Sequence, residues 1–212
     1  MFITFEGIEG SGKTTQIKNV AEFLKGRGYD VLVTREPGGT EIGKNIRSIL
    51  LSPLNKNIDP LTELLLYLAD RVQHVKEFIE ASLNSGKIVL CDRYMDATVV
   101  YQGFARGLGV NFIYQIHNFL LPDIKPNLTI LMDLDVSIGL SRAKKQIDSG
   151  DRSNKETRFE EESISFHKKV REGYLEVANL DPCRFKIVDA SLDENQVKNI
   201  ILNHLLEIIG KK

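Results

Sequence analysis

The sequence predicts an α/β fold for its 212 residues: a doubly wound, parallel, five-stranded sheet flanked by helices, with a mobile lid. Three observations carry that expectation. Short apolar runs alternate with long helical patterns from end to end. The runs are apolar on both faces, as strands covered on both sides must be. The first of them leads straight into a glycine-rich loop and then a helix, the order found where phosphates bind.

Taken in order, the first strand runs from Phe2 to Phe5 and the first helix from about Lys13 to Lys25. Val31 to Thr34 reads as the second strand and Glu41 to Leu51 as a helix. Asp59-Pro60 supplies an N-cap and an N1 proline to a long helix from Leu61 to Ser85, and Gly86 ends it. Ile88 to Cys91 is the third strand, followed by a helix from Phe112 to Leu121. Leu128 to Leu134 is the fourth strand, with helices from Val136 to Ile147 and from Phe159 to Leu180 behind it. Phe185 to Val188 and a helix from Glu194 to Ile209 complete the pattern. Two stretches are loops, Arg35 to Thr40 and Asp148 to Thr157. The second is polar and lies between helices, so residues 148–158 read as a lid on a single domain spanning 1–212.

Lys and Arg number 28 against 29 Asp and Glu, a formal charge of −1, which argues against a polyanion bound over a broad face. Nucleic acid and membrane are therefore not expected partners. The start has no basic segment of a signal peptide, and the longest apolar run, Leu64 to Ala69, is too short to span a bilayer, so a cytoplasmic protein is expected. Cys91 and Cys183 have no metal or redox spacing and read as buried, reduced thiols. His74, His117, His167 and His204 are scattered, which argues against a zinc or histidine-base site.

The chemistry begins at Gly7-Ile8-Glu9-Gly10-Ser11-Gly12-Lys13-Thr14, which satisfies G-x-x-x-x-G-K-[ST]. Glycines there let backbone amides turn towards a triphosphate, Lys13 can reach its β/γ-phosphates, and Thr14 can ligate Mg²⁺. A GTPase switch would also need D-x-x-G, which is absent, and N-K-x-D, which Asn55-Lys-Asn-Ile-Asp59 misses by one residue. The third strand ends in Cys91-Asp92-Arg93-Tyr94. Its aspartate suits Mg²⁺, and its guanidinium can grip an acceptor phosphate. Tyr67 and Arg71, four apart on one helix, can stack on a base and bond its carbonyl edge. Thr98, Tyr101 and Gln102 share a face if their segment is helical.

These residues resemble one family closely, the bacterial thymidylate kinases among the P-loop nucleoside monophosphate kinases. The resemblance rests on the P-loop, Thr34-Arg-Glu-Pro-Gly-Gly-Thr40, Asp92-Arg-Tyr94, Tyr101-Gln-Gly103 and a segment opening Arg158-Phe-Glu-Glu. It implies phosphorylation of dTMP to dTDP with ATP as donor and Mg²⁺ as cofactor, by a homodimer. ATP would lie on Gly7 to Thr14 and Thr15, with Mg²⁺ at Thr14 and Asp92. Glu9 would lie near the deoxyribose 3′-hydroxyl, and Arg35, Arg47 and Arg93 would surround the acceptor phosphate under Pro37 and Gly38. Tyr67 would stack on thymine, Arg71 would bond O4, Thr98 and Gln102 would meet the polar edge, and Tyr101 would lie against the sugar. The family places a catalytic basic residue in the P-loop or in the lid. Ile8 to Ser11 contains none, so the resemblance implies a lid arginine, Arg158 first and Arg152 as competitor. Tyr67 stands where phenylalanine is common. The alternatives are a P-loop kinase for another small molecule and an ATP-hydrolysing switch protein.

Overall fold

The structure is a computed structural model that describes residues 1–150 and 153–210. Five parallel strands, β1 (Phe2–Glu6), β2 (Val31–Arg35), β3 (Ile88–Asp92), β4 (Leu128–Asp133) and β5 (Phe185–Asp189), lie in the order β2-β3-β1-β4-β5. Asp92 pairs with Phe5 on one side and Arg35 on the other, so the ends of β1, β2 and β3 form one continuous edge.

Side-chain alternation along the strands feeds two cores. Ile3, Phe5, Ile88 and Leu90 pack with Ile17, Val20 and Leu24 of α1 (Lys13–Gly26) and with Val197, Ile201 and Leu205 of α9 (Glu194–Ile209). Phe2, Val89 and Cys91 pack instead with Val75, Ile79, Tyr94, Met95 and Leu121. Layers on both faces make the sheet doubly wound, as the alternating pattern predicted.

The helix α2 (Glu41–Leu51) has the expected bounds, and several of the remaining helices differ from expectation in instructive ways. The long helix is α3 (Pro60–His74), a π-helical stretch (Val75–Ile79) and α4 (Glu80–Asn84) in series. Asp59 caps it by accepting from Leu61 N at 2.9 Å and Thr62 N at 3.2 Å. After β3 comes an element missing from the sequence-derived order, α5 (Met95–Thr98), which runs into a π-helical stretch, Val99–Ala105. Two further helices are α6 (Val110–Leu120) and α7 (Val136–Asp148). The helix predicted from Phe159 begins only at Ile164, as α8 (Ile164–Leu180), where Ser163 Oγ accepts from Phe166 N at 3.2 Å. Arg158 and Phe159 turn inward instead of opening the helix, and both are buried. Cys183 is exposed, contrary to expectation, because it lies in the turn before β5; Cys91 is buried and free.

The phosphate loop leans on α7. Gly10 has a φ of 70°, and a Cβ there would lie 2.1 Å from the Gly139 carbonyl oxygen; one at Gly139 would lie 2.5 Å from the Glu9 carbonyl oxygen. Glycine inside a helix ordinarily costs about 1 kcal/mol relative to alanine. At this close approach the sign reverses. Gly139→Ala is expected to lower stability by roughly 1–3 kcal/mol, read as a fall in melting temperature, whereas a rise would show that the loop and helix do not touch.

Candidate active site

A cavity of about 670 Å³ opens at the carboxyl edge of the sheet, with the P-loop at one wall and the β2, β3 and α3 segments at others. Its boundary includes Glu9, Gly10, Ser11, Gly12, Lys13, Thr14 and Thr15 from the loop and α1, and Arg35, Pro37, Arg47, Asp92 and Arg93 from the β2 and β3 side. Tyr67, Arg71, Thr98, Tyr101 and Gln102 also line it. Residues predicted from six separate segments thus meet in one space. Thr98, Tyr101 and Gln102 do so although a π-helical stretch, not a regular α-helix, carries the last two.

Lys13 lies along the P-loop, where its ammonium donates to the carbonyl oxygens of Gly7 at 3.0 Å and Ile8 at 2.8 Å. Gly7 and Ile8 therefore face the lysine and not the cavity wall. Burial first, and the Arg93 charge second, pull the Lys13 ammonium down to about 8. Thr14 Oγ1 donates to Asp92 Oδ2 at 2.9 Å, which brings together the hydroxyl and carboxylate that the sequence led us to expect at Mg²⁺.

Arg93 begins the turn after β3 with a φ of 67°, a left-handed conformation that a non-glycine residue adopts only when its surroundings impose it. Its guanidinium donates to Glu9 Oε1 at 2.9 Å and to the Tyr174 hydroxyl at 2.9 Å, and lies 5.0 Å over the Tyr101 ring. Tyr101 donates its own hydroxyl to Glu9 Oε1 at 2.7 Å. Burial alone would raise the Glu9 carboxyl, but Arg93, His167 and Lys13 outweigh it and hold Glu9 well below the usual carboxylate range.

At the α3 wall of the cavity, Arg71 is 2% exposed and its guanidinium is almost fully assigned. Nε donates to Glu36 Oε2 at 2.7 Å, and Nη2 donates to the Tyr94 carbonyl at 3.0 Å and to Thr98 Oγ1 at 2.8 Å. Only Nη1 is buried without a partner. Behind Glu36 stands His74, with Nδ1 2.9 Å from Glu36 Oε1 and Nε2 2.6 Å from Thr34 Oγ1. Sequence reasoning passed over Glu36 and His74; the i, i+3 spacing of Arg71 and His74 on α3 was the signal available for the second.

Two predicted residues have different surroundings from those expected. Arg47 donates to Glu156 through Nε at 3.0 Å and 3.1 Å and through Nη2 at 2.7 Å, and Nη1 bonds the Pro37 carbonyl at 2.9 Å. Gly38, with a φ of 100°, leaves space for that side chain, since a Cβ there would lie 2.7 Å from Arg47 Cδ. Arg158 is not on the cavity wall. It is 4% exposed, donates to Glu63 Oε2 at 2.6 Å and to the Leu50 carbonyl, and lies 4.5 Å over the Phe159 ring. Arg158, expected to be the lid arginine that acts on the transferring group, is held in the core here by a buried carboxylate and an aromatic face. Arg152 lies outside the described residues.

A P-loop joined to a strand-end aspartate, in a cavity ringed by arginines, defines a nucleotide-dependent phosphotransferase. The comparisons specify which. The thymidylate kinase family model matches residues 5–201. A thymidylate kinase of Desulforapulum autotrophicum is 50% identical over 99% of this chain and 92% of its own length. One from Syntrophotalea carbinolica is 53% identical over 91% of this chain and 90% of its own. The crystal structure of thymidylate kinase from Ehrlichia chaffeensis superposes with a TM-score of 0.76 at 33% identity, covering 97% of this chain and 98% of that one. The chain belongs to the thymidylate kinase family.

Glu6, at the end of β1, gives this site a pH signature. It is buried and accepts from Tyr94 N at 2.8 Å and the Tyr174 hydroxyl at 2.7 Å. Burial first, and the Asp96 charge second, raise its carboxyl to about 7. The folded state therefore holds a proton that the unfolded chain releases near pH 4.5. Its stabilising contribution is full below that value and is lost as pH rises through about 7. Glu6→Gln should reduce this fall by on the order of 1–3 kcal/mol, measured by denaturant unfolding at pH 5 and pH 8. An unchanged slope would assign it elsewhere.

Proposed function

We propose that the protein transfers the γ-phosphoryl group of ATP to the 5′-phosphate of dTMP, giving dTDP and ADP. The observation that best supports this acceptor is the wall on which the Arg71 side chain meets Tyr67, Thr98 and Gln102. A base carbonyl such as thymine O4 can accept from a guanidinium on that wall while Tyr67 covers the ring.

In this reading an oxygen of the acceptor phosphate attacks the γ-phosphorus as the bond to the β-bridging oxygen breaks. Such transfer needs alignment and cations, not covalent help from the protein. Lys13 leaves its loop carbonyls for the donor phosphates. Arg35, Arg47 and Arg93 hold the acceptor phosphate, and Glu9 and Tyr101 lie beside the sugar. Thr14 and Asp92, one hydroxyl and one carboxylate 2.9 Å apart, suit Mg²⁺, which keeps waters and takes further oxygens from substrate phosphates. Bound there, Mg²⁺ would neutralise charge on the β- and γ-oxygens. The segment at 148–158 is read as the lid; among its described residues, Ser153 and Glu156 line the cavity.

No helix among the described residues is long and apolar enough to cross a membrane. A cytoplasmic homodimer is the accompanying proposal, and light scattering at a single chain mass of 23.9 kDa would remove the dimer.

A coupled ADP-release assay over dTMP, dUMP, UMP, CMP, dAMP and thymidine should give dTMP the highest kcat/KM. Preference for thymidine or acceptor-independent ATP hydrolysis would overturn the reading. Arg71→Ala should raise the KM for dTMP at least about tenfold with a smaller change in kcat. Glu156→Gln should lower that KM several-fold, because the Glu156 carboxylate occupies the Arg47 fork that the acceptor phosphate requires. An unchanged KM would remove Arg47 from the phosphate site.

A further inference from the structure

Glu63 on α3 is 1% exposed and does not line the cavity, yet four side-chain nitrogens converge on it. Its Oε2 accepts from Arg158 Nη2 at 2.6 Å and Arg106 Nη2 at 3.4 Å. Its Oε1 accepts from Arg106 Nε at 3.3 Å and Gln102 Nε2 at 2.8 Å. Ion-paired to two guanidinium groups, Glu63 is a carboxylate, and carboxylate oxygens only accept. This settles the orientation of the Gln102 amide on chemical grounds. Its nitrogen must face Glu63, which leaves the carbonyl oxygen as the group that Gln102 offers to the cavity.

We propose that Glu63 is a positioning residue for base selection: it locks Gln102 so that a hydrogen-bond acceptor faces the base. The inference rests on the dTMP reading and specifies how the base is chosen. The Arg71 guanidinium, which can only donate, and the Gln102 acceptor form a donor–acceptor pair on one wall. Thymine and uracil present the complement, a carbonyl at C4 beside an N3–H. Cytosine presents an amino group beside an unprotonated N3, so both contacts would be mismatched. A site built to satisfy a particular polar pattern rejects its inverse strongly, because the groups left unpaired are buried.

Glu63→Gln tests the lock directly. The new side-chain oxygen is expected to stay on Arg158, which makes the shorter contact, and the amide NH₂ then replaces Oε1 opposite Gln102 Nε2. Donor meets donor, and Gln102 turns over. The ratio of kcat/KM for dTMP over dCMP should fall at least about tenfold, chiefly through a higher KM for dTMP. Glu63→Asp retains an acceptor and should keep a ratio nearer that of the unsubstituted enzyme, even if both variants melt lower.

Equal loss in both variants, or an unchanged ratio in Glu63→Gln, would reduce Glu63 to a structural role and overturn the inference while leaving the dTMP reading intact. Failure of the unsubstituted enzyme to prefer dTMP over dCMP would overturn both. If Glu63→Gln does not fold, the unsubstituted enzyme still decides. Its Gln102 side-chain amide signals, assigned by their loss in Gln102→Ala, should be protected from water exchange without ligand and shift little when dTMP binds. Rapid exchange would show that no lock exists.

Discussion

The ion pair between Arg93 and Glu9 is the constraint on which the site depends. Glu9 belongs to the phosphate loop after β1, and Arg93 to the turn after the neighbouring β3. Their 2.9 Å contact therefore ties two strand ends across the sheet's carboxyl edge. Tyr101 and Tyr174 add the π-helical stretch and α8 to the same pair. Removing one member of a buried pair leaves the other charge without compensation, typically a loss of about 3–5 kcal/mol. Both groups also face the cavity. The interaction that orders the loop thus also sets the charge met by an incoming phosphate.

A second array orders the opposite wall by the same means. Glu36 and Thr98 fix Arg71, His74 backs Glu36, and Glu63 joins Gln102 to the segment that precedes α8. Arg71 and Gln102 are each fixed by neighbouring side chains. Polar groups so fixed need little reorganisation when a ligand arrives, which is where preorganised electrostatics gains its effect. The near balance of 28 basic and 29 acidic residues hides this arrangement, because Arg71 and Arg93 are each matched by a buried carboxylate, Glu36 and Glu9.

Much of this was legible in the sequence because it depends on local pattern. Apolar runs marked all five strands to within one residue at their ends, and glycine spacing located the phosphate loop. Asp92, Arg93, Tyr67 and Arg71 were found from position at a strand end or along a helix. What stayed hidden depends on contacts between distant segments. The pairing of Arg158 with Glu63 spans 95 positions, and that of Arg47 with Glu156 spans 109. No local spacing distinguishes a solvated arginine from one turned inward by a carboxylate so far away in the chain. The π-helical stretches were equally hidden, since a π turn inserts a residue without altering composition.

The contact between Gly10 and Gly139 bears on how far the phosphate motif can be transplanted. Eight consecutive residues look self-sufficient, yet the backbone at Gly10 keeps its shape against a helix that begins about 125 residues later, where any side chain would intrude on the Glu9 carbonyl. A designer moving G-x-x-x-x-G-K-T into a new scaffold from this protein would have to bring a ninth residue with it: a glycine in the first turn of the helix after β4.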